Sequence, residues 1–376
     1  MKEKILVAMS GGVDSSVAAA LLLEQGHEVH GAYMKNWINE PGIAGDCPWQ
    51  EDIEDARAAT NLLGIPFRIV NLMDQYQQKV VSYLLEGYQS GSTPNPDVMC
   101  NREIKFGAFL GWALRNDYSK VATGHYARLV STPNGEVQLW EGTDKNKDQS
   151  YFLALLQQEQ LQRALMPLGN LTKPEVRELA KRFQLPNATK KDSQGICFVG
   201  KVRMRDFLRT YLPDQPGPVV DQQGNRLGTH QGLHLYTLGQ RRGVGVASPV
   251  FGQAYVVVEK RRSTNELVLC LENEEAKGLY SASCKVGQLS FPGSAPVFLE
   301  QMEVRPRYRA PAVPAKIQSL PDGEWEVHFQ DPQRALTPGQ IAAFYRNEQL
   351  LVGGVISSVC SSLPPSRNHQ PEATFA

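Results

Sequence analysis

The stretch SGGVDSS, Ser10–Ser16, decides the fold. It follows KILVAM (Lys4–Met9), a continuous apolar run of strand length, the pattern of a strand buried on both faces. It precedes VAAALLLEQG (Val17–Gly26), rich in Ala and Leu and ending on a glycine suited to a helix C′ position. HEVHGAYM (His27–Met34) again reads as a strand. The seven residues therefore occupy the strand-to-helix turn of a βαβ unit, where helix N–H groups and the helix dipole favour an anion. Gly11 and Gly12 permit close approach of a ligand, and the hydroxyls of Ser10, Ser15 and Ser16 add donors. Neither the Walker lysine nor the G-x-G-x-x-G dinucleotide pattern is present. A phosphate is the natural guest; the bland alternative is a plain helix cap in a doubly wound sheet.

Composition sets outer limits. The chain has 376 residues, enough for two or three cored domains, with 39 Lys+Arg balanced by 39 Asp+Glu. A net charge of zero excludes a uniformly basic RNA-coating protein, so any RNA contact must come from local patches. No apolar run reaches membrane-spanning length and the opening residues enter a strand directly, so no membrane association is expected. The six cysteines, at 47, 100, 197, 270, 284 and 360, form no C-x-x-C pair, which predicts reduced thiols and a cytoplasmic location.

The first two hundred residues alternate strand-like and helix-like segments, the signature of an α/β domain with a parallel sheet. RLVSTPNGEVQLWEG reads as a hairpin turning at Asn134-Gly135. LTKPEVRELAKRF reads as a helix with Thr172 at the N-cap and Glu175 completing a capping box. The proline-rich YLPDQPGPVV marks a boundary, after which short strands such as AYVVVEK and NELVLCLE follow. AKIQSLPDGEWEVHF is a second hairpin, turning at Asp322-Gly323. The expected organisation is an α/β domain over 1–204, a small β-rich middle domain over 205–279, a C-terminal β-barrel over 280–358 and a disordered tail over 359–376.

Two cysteines stand in unusual surroundings. Cys100 lies in TPNPDVMCN, where Asp97 is placed to cap the following helix and Cys100 falls in its first turn, a position that favours thiolate. Cys197 lies in KKDSQGICFVG, with Lys190 and Lys191 upstream as cations for a thiolate or persulfide. Taken singly, each also fits a buried inert thiol, as Cys270 does in alternating LVLCLE. Cys47, in GDCPWQED, is a weak rival.

SGGVDSS resembles the PP-loop of ATP pyrophosphatases, and together with NPDVMCN, ATGHYAR, KDQSYFL, DSQGICF, YTLGQRRG, RPRYR and RALTPGQ the chain resembles the bacterial tRNA-specific 2-thiouridylases from Ser10 to Gln340. One departure is Ala8, where that family often has glycine. The resemblance implies that ATP, with Mg2+, adenylates the 2-oxygen of the wobble uridine of tRNA, and that sulfur then displaces AMP. The substrates implied are Lys, Glu and Gln acceptors, and the sulfur comes from a persulfide donor protein. Ala8, Met9, Ser10, Gly11, Gly12, Val13, Asp14, Ser15, Met34 and Gly124 would hold ATP, with Asp14 on the magnesium. Asn95, Pro96 and Asp97 would surround the target base, Asp97 as acid/base. By the same analogy Cys197 carries the persulfide and Cys100 is the partner thiol, either releasing that sulfur or closing a transient disulfide with Cys197, which requires Cα atoms within about 7 Å. His125, Lys147, Asp148, Gln149, Arg307, Tyr308 and Gln340 would meet the tRNA, with the middle domain adding basic contacts. Two rivals stand beside this reading: a PP-loop synthetase adenylating a small molecule, and a non-catalytic tRNA binder.

Overall fold

The computed structural model describes residues 2–38, 49–191, 203–272, 278–293 and 302–360. In chain order, β1 (Lys4–Ala8), α1 (Val13–Glu24), β2 (Glu28–Lys35), α2 (Trp49–Leu62) and β3 (Phe67–Asn71) open the molecule. Then come β4 (Lys120–Ala122), the hairpin β5 (Ala127–Ser131) and β6 (Val137–Glu141), and β7 (Ala164–Leu165). Five of these strands form a parallel sheet in the order β3-β2-β1-β4-β7. Ile5, Leu6 and Val7 are wholly buried because the two faces of β1 serve different cores: Leu6 packs on one side, Ile5 and Val7 on the other. Two long helical stretches, 73–89 and 96–115, cover the Leu6 side, with Val80, Leu84 and Tyr88 meeting Ile104 and Phe109.

The middle domain is a four-stranded sheet of β8 (Gly217–Val220), β9 (Arg226–His230), β10 (Tyr255–Arg261) and β11 (Glu266–Leu271), ordered β10-β11-β8-β9. The last part comprises β12 (Tyr280–Ser290), β13 (Met302–Arg305), β14 (Val313–Ser319), β15 (Trp325–Arg334), β16 (Ile341–Arg346) and β17 (Gln349–Cys360). These six antiparallel strands close into a barrel through the β12–β17 pairing, which leaves them no free edge. The sheet-then-barrel architecture matches the expectation from the sequence.

One connection was not foreseen. The β5–β6 hairpin forms where Asn134-Gly135 predicted it, yet it does not stay with the parallel sheet. Its strand β6 pairs with β17, Trp140 opposite Gln349 and Leu139 opposite Leu350, so the N-terminal part of the chain extends the barrel's sheet. Leu139, Tyr151, Ile341 and Tyr345 share one core across that junction. Residues 361–376, most of the expected tail, lie outside the described residues. Among the described residues no helix is long and apolar enough to cross a membrane.

Candidate functional site

The Ser10–Ser16 loop leaves the C-terminal end of β1 beside β4, where the strand order runs outward in both directions; in open parallel sheets ligands bind at that crevice. Gly11 has φ +75°, and a Cβ there would collide with the main chain of Asp52, so the turn requires glycine. The loop is tied down from inside. Ser10 N–H donates to Ser15 Oγ (3.2 Å), and Ser15 Oγ and Ser16 Oγ each donate to Gly12 O (3.1 Å). Asn187 Nδ2 donates to Gly11 O and to Ser16 Oγ, both at 3.0 Å. Gly12 is the extended N-cap of α1, so the amides of Val13, Asp14 and Ser15 point out of the helix N-terminus. Gly124, just past β4, lies against this turn: a Cβ added to it would stand 2.8 Å from Asp14 C and 2.9 Å from Ser15 N. The loop and Gly124 thus form one preformed, donor-rich cradle. Met9 and Met34 are both buried.

Asp14 is the loop's only carboxylate. Its Oδ1 accepts from Tyr126 OH (2.8 Å), and Lys173 Nζ donates to both carboxylate oxygens (2.7 and 2.9 Å). Tyr126, Lys173 and Asn187 join this candidate site, and sequence reasoning did not single them out. Lys173 carried a signal: it opens the helix Lys173–Arg182, whose capping box is present, with Thr172 N–H donating to Glu175 Oε2 at 2.7 Å. Among the described residues no group of three His, Cys, Asp or Glu side chains is arranged to hold a metal.

The helix that carries Cys100 begins at Pro96, and its cap is Asn95: Val98 N–H donates to Asn95 Oδ1 at 3.2 Å. The expectation that Asp97 caps it is corrected, because proline at the first helical position shifts the cap one residue earlier than Pro96 itself. Cys100 consequently lies beyond the first turn, where the helix widens to π geometry over Cys100–Phe109. Gln160 Nε2 braces that wide segment by donating to Arg102 O and Phe106 O at 2.9 Å each. Cys100 is fully buried and shares a single apolar cluster with Ala8 and Met34. Cys197, Cys47 and the segment around them lie outside the described residues. Lys190 is engaged with α2, donating to Asp52 (2.8 Å) and Asp55 (2.5 Å). Burial pushes the Cys270 thiol up to about 11 and the Cys284 thiol up to about 12, which suits inert core positions.

The remaining candidates divide by exposure. His125 is buried, with Nδ1 2.7 Å from Thr123 Oγ1 and its ring 6.1 Å from that of Phe106 on the Cys100 helix; burial, then Lys105, hold it well below the usual histidine range. Gln149 accepts from Tyr126 N–H at 3.0 Å, next to Lys147. Asp148 is buried and accepts from Gly142 N–H, Ser150 N–H and Arg305 (3.1 Å), while Arg305 also pairs with buried Glu141. Of the RPRYR arginines, Arg305 is therefore an internal strut, and Arg307 and Arg309 face solvent. Tyr308 packs on Phe152 with ring centroids 4.2 Å apart. Gln340 Nε2 donates to Thr93 O (2.7 Å) and Thr93 N–H to Pro338 O (2.8 Å), which fastens the segment before Asn95 to the barrel. The structure thus brings the loop at Asn95–Asp97, Tyr308 and Gln340 to one junction, and Ala8, Met34 and Cys100 to another.

Comparison with known proteins follows the same three-part division. Residues 3–201 match the family model described as a tRNA methyl transferase HUP domain. Residues 205–271 match a tRNA methyl transferase PRC-barrel domain, and residues 281–356 an aminomethyltransferase beta-barrel domain. The tRNA-specific 2-thiouridylase of Akkermansia muciniphila is 56% identical over 356 residues, 95% of this chain and 99% of the relative. That of Neisseria meningitidis serogroup B is 44% identical over 354 residues, 94% of this chain and 95% of the relative. That of Geobacillus kaustophilus is 42% identical over 369 residues, 95% of this chain and 96% of the relative. With such identity along nearly its whole length, on a fold whose loop, helix and barrel meet as described, the chain belongs to the tRNA-specific 2-thiouridylase family.

Proposed function

We propose that this protein is an ATP-dependent tRNA uridine 2-sulfurtransferase that converts the wobble uridine to 2-thiouridine, releasing AMP and pyrophosphate. The observation that carries the reading is the common cluster of Ala8, Met34 and Cys100: the end of the strand that leads into the Ser10–Ser16 loop packs in one core with the thiol.

A uracil carbonyl oxygen is a poor leaving group, so it must first be activated. Ser10, Gly11, Gly12 and the amides of Val13–Ser15 grip the pyrophosphate portion of ATP, with Gly124 closing the other wall; such preorganised donors stabilise the charge that develops as the anhydride breaks. Met34 lies against the adenine. Lys173, paired with Asp14, adds a cation beside the loop that would meet the charge of the phosphates. Asp14, the one carboxylate of the loop, would hold Mg2+ in exchange for its bonds to Lys173, and the metal would supply charge neutralisation at the phosphates.

Asn95, Pro96 and Asp97 receive the flipped uracil at the mouth of the Cys100 helix, Asp97 handling its proton. The terminal sulfur of a Cys197 persulfide attacks C2 and AMP leaves. Cys100 thiolate then attacks Cys197 Sγ, so the sulfur stays on C2 as the thiocarbonyl and a Cys100–Cys197 disulfide closes, to be reopened by a thiol reductant. Arg307, Tyr308, Gln340, Lys147 and Gln149 hold the tRNA, with buried Asp148 acting through its brace on Arg305 and buried His125 acting through its packing on the Cys100 helix. Anticodon choice among Lys, Glu and Gln acceptors and delivery by a persulfide donor protein complete the scheme. Purified protein with ATP, Mg2+, a persulfide source and unmodified tRNA should yield 2-thiouridine by nucleoside mass spectrometry. Folded protein that yields none refutes the assignment, and pyrophosphate release at full rate without RNA favours a small-molecule synthetase.

A further inference from the structure

A cavity of about 370 Å³ lies between the N-terminal and middle domains, and neither the Ser10–Ser16 loop nor Cys100 is part of its lining. The end of the 73–89 helix supplies Tyr88, Gln89 and nearby Gly91; the other wall includes Gln215, His234, Lys260, Arg262 and Asn265. Among the described residues its lining contains a lysine, an arginine and a histidine but no aspartate or glutamate. The nearby Asp214 carboxylate is spent on Arg209, which donates to both of its oxygens (2.9 and 2.8 Å).

The cations differ in their commitments. Arg262 donates to the carbonyls of Ser90 and Gln89 (2.9 Å for the latter), so it clamps the helix end while its charge stays at the rim. Lys260 lines the cavity and, among the described residues, donates one long hydrogen bond, to Tyr236 O at 3.3 Å, which leaves donor capacity on its ammonium. His234 Nε2 is buried without a partner among the described residues. Burial, with Arg262 alongside, lowers the Lys260 ammonium to about 8. A partly buried ammonium with spare donors beside a fixed guanidinium is electrostatically unfinished, and an arriving anion completes it.

We propose that this interdomain cavity is a phosphate-binding subsite in which Lys260 donates to the phosphate oxygens and Arg262 supplies the rim charge. The volume accommodates a phosphate together with the sugar or base attached to it. The phosphate comes either from the backbone of bound tRNA, an alternative that rests on the function proposed above, or from a free phosphorylated small molecule.

Calorimetric titration of the full chain with inorganic phosphate tests the site. Two binding components are expected, one at the Ser10–Ser16 loop and one here. The second weakens roughly tenfold in Lys260→Met. It weakens similarly in Gln215→Glu, which places a carboxylate at the exposed rim and serves if the lysine variant does not fold. A tRNA-binding salt series separates the sources. With an RNA phosphate, Lys260→Met lowers the slope of log affinity against log salt by about one. With a free phosphate compound the slope is unchanged although the phosphate component is lost. Isotherms of both variants that superimpose on the wild type overturn the proposal. Absence of 2-thiouridine would refute the function and leave these isotherms as they are.

Discussion

Gly124→Ala is a one-carbon test of the cradle. Gly124 has no positive φ, so alanine's backbone is unstrained there and the whole effect is contact. The new Cβ would stand 2.8 Å from Asp14 C, 2.9 Å from Ser15 N and 3.0 Å from Asp14 Cβ, against ordinary contacts of 3.4–4 Å. Two of those three neighbours are main chain and cannot rotate aside, so the turn must retreat by about half an ångström or more. Asn187, Ser15 and Ser16 pin the same turn from behind, so the retreat is resisted and strain results. Overpacking of this kind costs about 1–3 kcal/mol in stability. An ångström of misplacement costs about a hundredfold in rate, so half that shift should lower tRNA-dependent pyrophosphate release by tenfold to about a hundredfold, ~1.4–2.7 kcal/mol in barrier. The control is Gly111→Ala, whose Cβ meets only the mobile Arg115 guanidinium at 3.4 Å and whose helical site favours alanine. Release kinetics at saturating tRNA for both variants, beside urea unfolding, make the measurement. A Gly124→Ala enzyme within twofold of wild type, with Gly111→Ala unchanged, would refute the claim that Gly124 positions the loop.

Three further outcomes are expected. Arg305→Met leaves the buried Glu141 and Asp148 carboxylates without their shared cation and should destabilise the fold by about 3–5 kcal/mol in urea; a loss below about 1 kcal/mol would show that the strut is idle. His125 is held well below the usual histidine range, so the unfolded chain takes its proton first and stability should fall as pH drops below about 6.5, by at most ~1.4 kcal/mol per pH unit. His125→Gln should flatten that part of the profile relative to wild type; parallel profiles from pH 7 to 5 contradict the burial argument. Cys100→Ser should keep tRNA-dependent pyrophosphate release and lose 2-thiouridine, so loss of both would assign Cys100 to packing alone.

What was legible in the sequence was local. The strand before Ser10, the glycines of the turn, the Thr172–Glu175 capping box and the two Gly-based hairpin turns are fixed by neighbours a few residues apart, and each forms as read. Asp97 failed as a cap for an equally local reason: with Asn95 and Asp97 both suited to the role, Pro96 decides between them. The Lys173 bonds to Asp14, the Arg305 bonds to Asp148 and the Gln340 bond to Thr93 join residues 157 to 247 positions apart, and no spacing rule reaches them. Nor does the sequence of RPRYR separate its arginines; the barrel turns the first inward and the third outward.

The seam between β6 and β17 has a consequence for how the protein is made. Trp140 emerges from the ribosome long before Gln349, so during synthesis the hairpin waits with its outer edge unsatisfied until the final strand is translated. The nascent chain carries an adhesive border for most of its elongation, and a truncation that omits the barrel inherits it permanently. Such a fragment should aggregate even though its own parallel sheet is complete.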